Sequence, residues 1–446
     1  MKKLILFLSF ALMALGFTAC KKDDATPVVV AKADVRDSVY YLATELYLWR
    51  DKLPTLVDFK ATGYATAEDA MTKVRTYSPL GTSGKNVDRW SFAMKKTDWD
   101  KVASGNNGDF GCGFRFSGAD NALYISYTYA KSSAGVMGLQ RGYKVLKING
   151  VAATSDNVAG LNTELGKSAI TLDIEKPDAS KSSVTITRVS YATNPVLSQN
   201  IIKQGSKNIG YLAFNSFLGA TAEKEINDAF TFFKNNGVSE LVVDLRYNGG
   251  GYVSLAELMA NLIVPTSAAG KLMYQDTHNA KYVSWNKTKN FDATPKANAL
   301  GLSRVVFITT GGSASASELL INVLQPYMDV KLVGATTYGK PAGYYGLPTM
   351  DYYSFPLAVK QVNANGYGDF YDGLPVSKSQ RDDVAKNWGD PAEACLSDAL
   401  IYIKNGVFST SVSPSQNARL AAIDALNQDL DEGFKGLIMR NPQIKR

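Results

Sequence analysis

The sequence predicts a multidomain α/β protein built from three unlike stretches. An apolar segment at helical spacing comes first, a run of short β-branched strands follows, and the long remainder alternates strand with helix. At about 100 to 200 residues per domain, 446 residues call for two to four domains. Hydrophobic residues make 45% and charged residues 20%, the balance of a chain that mostly folds.

Before the first domain, Lys2 and Lys3 precede an apolar run from Leu4 to Phe17, then Thr18-Ala19-Cys20. That run is too short to span a bilayer, and Lys21-Lys-Asp-Asp24 ends it. Residues 1–19 therefore read as an export signal. Small residues before a cysteine resemble a lipoprotein signal, which would make Cys20 the acylated first residue and anchor the chain to a membrane of a gram-negative-type envelope, on its periplasmic or surface side. Ordinary cleavage near Ala19 is the simpler alternative. With Cys20 set aside, Cys112 and Cys395 are too far apart in sequence to suggest a disulfide framework or a metal site, and two buried thiols are expected. The net charge is +7, or +5 without Lys2 and Lys3, and no basic cluster suggests nucleic acid.

Residues 20–33 read as a tether. In the helical domain expected over 34–104, Val39, Leu42, Ala43, Leu46 and Trp49 share one helix face, and a second helix spans Thr66 to Arg75. Over 105–192, Ala122-Leu-Tyr-Ile-Ser-Tyr, Ala169-Ile-Thr-Leu-Asp-Ile and Ser183-Val-Thr-Ile-Thr read as strands separated by turn residues. From 193 to 410 strands are expected at Ile209–Phe214, Glu240–Arg246, Arg304–Thr310 and Val330–Gly334. Helices are expected at Thr221–Phe233, Val253–Ile263 and from Ser315 to about Gln325. Such alternation implies a parallel sheet with right-handed crossovers. A last helix is signed by Asp390 as N-cap, Pro391, Glu393 completing a capping box, and Gly406 beyond its end. The tail, 411–446, is polar and carries only a weak helical pattern.

Chemistry concentrates where a buried strand turns into a helix, at Thr309-Thr-Gly-Gly-Ser-Ala-Ser-Ala-Ser-Glu318. A serine there projects its hydroxyl at a helix start, whose N–H groups can hold an oxyanion. It needs a base. The single histidine, His278, lies in a polar stretch that reads as an exposed loop; a hydrolase using it is one rival reading. A buried lysine can serve instead, because desolvation lowers its pKa. Lys340 follows the next strand through Thr336-Thr-Tyr-Gly339 and is the candidate.

Three segments carry a family resemblance: Ser313-Ala-Ser-Ala-Ser-Glu318, Val333-Gly-Ala-Thr-Thr-Tyr-Gly-Lys340 and Asp244-Leu-Arg-Tyr-Asn-Gly-Gly-Gly251. Together they look like the C-terminal processing (tail-specific) serine peptidases. In the β-rich module, Gly138-Leu-Gln-Arg-Gly-Tyr-Lys-Val-Leu-Lys-Ile-Asn-Gly150 resembles a PDZ domain. Phe110-Gly111-Cys112-Gly113-Phe114 resembles the PDZ carboxylate-binding loop. The resemblance implies a crotonase-like α/β peptidase core preceded by the PDZ-like module and the small helical domain. It implies Ser315 as nucleophile, with Lys340 as base 25 residues on, and an oxyanion hole from the N–H groups of Ala316 and Gly250. Substrates would be proteins or peptides recognised by their C-terminal tails, cleaved through an acyl-enzyme, with no cofactor. Better-known members carry glutamine four residues after the lysine. Tyr344 stands there instead, either as a substitute third member or as packing, and in the second case the chain would be a weak or inactive peptide-binding scaffold.

Overall fold

The computed structural model describes residues 34–81, 84–104, 106–409, 427 and 436–439. The expected export signal and tether, Cys20 and most of the tail lie outside the described residues.

The N-terminal part opens with α1 (Val35–Leu46) and α2 (Ala67–Arg75), followed by strand β1 (Phe92–Lys95). Thr66 caps α2 through a full capping box with Asp69, which fixes the start of the helix. The β module holds β2 (Cys112–Phe116), β3 (Leu123–Thr128), β4 (Lys144–Ile148), helix α3 (Val158–Leu165), β5 (Ala169–Glu175) and β6 (Lys181–Thr187). Its sheet runs β2-β3-β4-β5-β6, so β2 is an edge strand. Leu123, Ile125, Val145, Ile148, Ile170, Leu172 and Ile174 fill the core of this module.

The next segment supplies β7 (Val196–Gln204), β8 (Lys207–Phe214), α4 (Ala222–Asn235), β9 (Glu240–Asp244), β10 (Gly250–Tyr252) and α5 (Val253–Ile263). It continues with β11 (Leu272–Thr277), β12 (Thr288–Asn290), β13 (Arg304–Thr309), α6 (Ala316–Leu324), β14 (Asp329–Gly334) and β15 (Ala342–Tyr344). The remaining elements are β16 (Leu347–Thr349), β17 (Tyr352–Phe355), β18 (Leu357–Asn363), β19 (Lys378–Ser379), α7 (Ala394–Asn405) and β20 (Gly436–Ile438).

The central sheet has the order β7-β8-β9-β13-β14-β19. Its pairs from β8 to β19 are parallel, as the alternation predicts, and β7 closes one edge antiparallel. Both faces are covered, which is why the strands are continuous apolar runs. Leu241 and Val243 of β9 face a core with Phe230, Met259 and Leu320 from α4, α5 and α6. Val242 between them points the other way, to Leu396, Ala399 and Ile403 of α7. Truncating Phe230, fully buried at that interface, would cost about 3–5 kcal/mol. A second sheet, β10-β20-β15-β18-β11-β12, draws three of its six strands from the region after Lys340, and β1 adds to β17 and β16.

The last helix differs from expectation at its start. It begins at Ala394, and its N-cap is Glu393, whose carboxylate accepts from Leu396 N. Asp390 instead closes a local turn on Ala392 N at 2.9 Å. Glu393 is held there by Arg246, which bonds both carboxylate oxygens at 3.0 and 3.1 Å. Gly406 ends the helix in the left-handed conformation, as expected. Of the two thiols, Cys395 is buried and Cys112 only partly so; neither is bridged.

Candidate functional site

The strand β13 ends at Thr309, and seven residues later the chain enters α6 at Ala316. Ser315 is the N-cap, at φ 63° and ψ −105°. A non-glycine residue with positive φ is held against roughly 1–3 kcal/mol of strain, so the surroundings must enforce it. They do. Ala314 N donates to Asn248 O at 3.0 Å, and Leu319 N returns to Ser315 O at 2.8 Å.

The three serines of the motif are not equivalent. Ser313 Oγ donates to Leu245 O at 2.8 Å and Ser317 Oγ to Asn248 O at 2.9 Å. Both hydroxyls pin the turn to the end of β9. Ser315 Oγ is buried and has no hydrogen-bond partner among the described residues. A buried hydroxyl left without a partner is costly, and it distinguishes a group held for another use from one that serves the fold.

Glu318, which the sequence reading passed over, organises the rest. One carboxylate oxygen accepts from Ser315 N at 2.7 Å and Lys340 N at 2.8 Å. The sum of those distances, 5.5 Å, is the upper limit on the separation of the two backbone nitrogens. The other oxygen accepts from Thr337 Oγ1 at 2.5 Å and Gly339 N at 2.6 Å. Burial pushes the Glu318 carboxyl upward, while these four donors favour its ionised form. The spacing Ser-x-x-Glu before an apolar run was its sequence signal. Gly339 is required in this loop: its φ is 90°, and a β-carbon would lie 2.4 Å from Tyr371 O.

Lys340 is fully buried. Burial drives its pKa well below the ordinary lysine range; Asp88 and Glu318 pull the other way, and Arg75 assists the lowering. Its Nζ bonds to the Tyr344 hydroxyl, which donates in turn to Trp90 O at 3.0 Å. Asp88, the other group missed in sequence, is locked by Tyr47 Oη, Trp90 N, Ser91 N and Ser91 Oγ at 2.6 to 3.0 Å. The N-terminal part thus supplies one wall of the site. Burial, with Asp88 second, raises the Tyr344 phenol well above its usual pKa, so it stays neutral.

The turn after β9 meets expectation only in part. Gly250 N donates to Asn248 Oδ1 at 2.9 Å, so in this structure the N–H expected for the oxyanion is engaged by that side chain. The glycines have a steric reason as well. Gly251 has φ 139°, and a β-carbon there would lie 2.3 Å from Phe217 O.

His278 is corrected from an exposed to a buried residue. Its Nδ1 lies 3.0 Å from Asn286 Oδ1 and its Nε2 2.7 Å from Tyr345 Oη. Because the Asn286 oxygen can only accept, Nδ1 carries the proton and Nε2 accepts from the phenol. Burial lowers its pKa. The ring is structural, and Ser315 Oγ bonds to no histidine.

The PDZ-like loop is mostly strand. Phe110 and Gly111 make the turn, with Gly111 N on Asp109 Oδ1 at 2.8 Å, and Cys112, Gly113 and Phe114 already pair with β3.

Residues 208–369, which hold the Ser315 turn, Glu318, Lys340 and Tyr344, match the sequence profile of peptidase family S41. Among relatives, the carboxy-terminal processing protease CtpB of Bacillus subtilis is 27% identical over 286 residues, 63% of this chain and 57% of that protein. The carboxyl-terminal-processing protease of Synechocystis is 29% identical over 228 residues, 49% and 50% of the two chains. The chain thus spans little more than half the length of these curated relatives. A solved structure of a candidate S41 protease from Bacteroides fragilis superposes with a TM-score of 0.66 at 24% identity, covering 83% of this chain and 97% of that one. The photosystem II D1 C-terminal processing protease gives a TM-score of 0.50 at 15% identity, over 80% and 97%. At those identities the likeness concerns the fold: S41 proteases share this mixed α/β arrangement.

Proposed function

We propose that this chain is a serine endopeptidase that cuts proteins or peptides selected by their C-terminal tails, using Ser315 as nucleophile and Lys340 as general base. The observations that support the reading are a buried Ser315 hydroxyl with no partner among the described residues and a desolvated Lys340, with the two backbone N–H groups sharing one Glu318 oxygen. Ser315 Oγ attacks the peptide carbonyl and passes its proton to Lys340 Nζ. The resulting ammonium returns a proton to the leaving amine as the C–N bond breaks. Water, deprotonated by the same amine, then hydrolyses the acyl-enzyme. The Ala316 N–H, at the first position of α6, is suited to the oxyanion. Gly250 N–H joins it only if Asn248 releases it, which leaves the second donor to the Asn248–Gly251 turn as a whole. Tyr344 takes the place of an orienting amide, since its hydroxyl meets Nζ and is itself anchored on Trp90 O.

The edge strand β2 and the Phe110–Gly111 turn support a PDZ-like role for the β module, in which an extended peptide adds to the sheet. On the sequence pattern alone we place the protein outside the inner membrane, tethered by a lipid on Cys20. The test is cleavage of casein by the mature chain against Ser315→Ala and Lys340→Ala. The reading requires both variants to be inert and folded; cleavage retained by either removes the dyad.

A further inference from the structure

The candidate base is braced from outside the segment that matches the S41 profile. Ser315, Glu318, Lys340 and Tyr344 all lie within residues 208–369. The acceptor behind the Tyr344 hydroxyl does not: it is Trp90 O, at 3.0 Å, in the loop Asp88-Arg-Trp-Ser91 that leads into β1. Asp88 is buried and shapes this loop, its Oδ1 accepting from Trp90 N at 2.9 Å and Ser91 N at 3.0 Å. Ser91 N and Trp90 O belong to one planar peptide unit, in which the N–H and C=O point in opposite directions. A carboxylate that holds this N–H therefore aims the carbonyl, and the carbonyl faces Tyr344. Asp88 Oδ2 accepts from Tyr47 Oη at 2.8 Å and Ser91 Oγ at 2.6 Å, which ties the loop to the end of α1. Ser91 Oγ in turn accepts from Leu357 N at 2.9 Å, and Leu357 stands opposite Tyr344 in the register of β15 and β18.

We infer that Asp88 is a positioning residue for Lys340, acting through the Trp90–Ser91 peptide unit and the Tyr344 hydroxyl, so that the N-terminal part of the chain completes the site. The kinetic consequences rest on the peptidase reading; the relay itself rests on the hydrogen bonds. The carboxylate also contributes charge. Burial lowers the pKa of Lys340, Asp88 and Glu318 raise it, and Arg75 lowers it. The other titratable groups around the relay are phenols: Tyr47 on Asp88, Tyr344 on Nζ, and Tyr338 and Tyr371 beside them. Burial raises Tyr47, Tyr344 and Tyr371, which stay neutral. Geometry and charge are separable by substitution. In Asp88→Asn the side-chain oxygen keeps Trp90 N and Ser91 N, and the hydroxyls of Tyr47 and Ser91 can turn to accept from the amide nitrogen. The Trp90 carbonyl stays aimed and the charge alone is lost. Asp88→Ala loses both, and the Trp90–Ser91 peptide is free to turn away from Tyr344.

The test is steady-state cleavage across pH by the mature chain, Asp88→Asn and Asp88→Ala, with a fluorogenic peptide spanning a casein bond that the mature chain cuts. Beside it, lysine labelled with ¹³C at Cε is titrated by NMR, the Lys340 signal being the one absent from Lys340→Arg. Asp88→Ala is expected to lower kcat by about 10- to 100-fold, the scale of a misplaced catalytic group, with KM within about 2-fold. Asp88→Asn should restore the kcat plateau to within about 3-fold of the parent, yet move the acid limb of kcat/KM, and the Lys340 titration, to lower pH. A purely structural aspartate would lower the melting temperature and leave limb and titration in place, and that result overturns the inference. So does a loss confined to KM, or an Asn variant as slow as the Ala variant. If the mature chain cuts nothing, the peptidase reading falls, and the NMR titration still decides on Asp88: a Lys340 signal unmoved in Asp88→Asn sinks the inference, and one displaced to lower pH sustains it. If Asp88→Ala does not fold, Asp88→Asn carries the test alone, and behaviour like the parent at every pH is fatal.

Discussion

Replacing Glu318 by glutamine separates a positioning role from a purely structural one. The carboxylate accepts four bonds, two on each oxygen. In Glu318→Gln the best rotamer keeps its carbonyl oxygen on Ser315 N and Lys340 N and turns the amide nitrogen to Thr337 and Gly339. The Thr337 hydroxyl can rotate to accept, but Gly339 N–H then faces a donor. One buried N–H without an acceptor costs about 1–3 kcal/mol, and the remaining bonds lose their charge assistance. A loss near 3 kcal/mol is expected, about 6 to 12 °C in melting temperature for a unit of this size. The second effect is on Lys340. Glu318 raises its pKa, so removing that charge lowers it further. Lysine must be neutral to act as base, and activity falls as pH drops through its pKa; the acid limb of kcat/KM therefore moves to lower pH. Peptide hydrolysis followed across pH, beside thermal melts, checks both. An acid limb that stays put, or moves upward, refutes the electrostatic part, and an unchanged melting temperature refutes the clamp.

Other substitutions probe separate parts of the account. Tyr344→Phe removes the hydroxyl that meets Lys340 Nζ while keeping the ring; kcat should fall by about 10- to 100-fold with little change in KM, the scale of one general-base alignment, read in steady-state kinetics. Asp382 lies between Arg141 and Arg246, at 2.8 and 2.6 Å, with Arg115 at 3.5 Å. Burial opposes its charge, but the three arginines outweigh that and hold its carboxyl far below the usual range. Its folded pKa is below the unfolded one, so this stability is complete above about pH 4 and lost as pH falls further. Asp382→Asn should cost about 3–5 kcal/mol at neutral pH, with a smaller gap in melts at pH 3. His278→Ala should leave casein cleavage within about 2-fold while lowering the melting temperature, since it removes packing and the bond to Tyr345; loss of turnover would revive a histidine base.

The parallel sheet was legible because β8, β9 and β13 are largely buried on both faces and so appear as mainly apolar runs between helical stripes, while β14 is buried only over Leu332–Gly334. The Ser315 turn was legible from spacing, yet only the structure shows why Ser313 and Ser317 are excluded: both hydroxyls are consumed by carbonyls at the end of β9. Glu318 was missed because its local capping bond to Ser315 N looks like ordinary helix chemistry, while its bonds to Thr337, Gly339 and Lys340 come from a distant loop; Asp88 was missed because its local turn bonds to Trp90 and Ser91 say nothing of Tyr47 or the site it adjoins. Helix α7 starts late because Arg246, 147 residues away in sequence, claims Glu393. His278 looked exposed amid polar neighbours, but Asn286 and Tyr345 satisfy its ring inside the fold. The three-residue β20 is too short for any periodicity to announce it.

The central claim is a Ser315 hydroxyl activated by a neutral Lys340, and its most direct test is the pH dependence of covalent labelling by a fluorophosphonate, read by intact mass and peptide mapping. The account predicts one adduct, on Ser315, absent in Ser315→Ala, forming with an apparent pKa well below the ordinary lysine value of about 10.4. Labelling at another residue, no labelling of the folded chain, or an acid limb at the ordinary lysine pKa would contradict it.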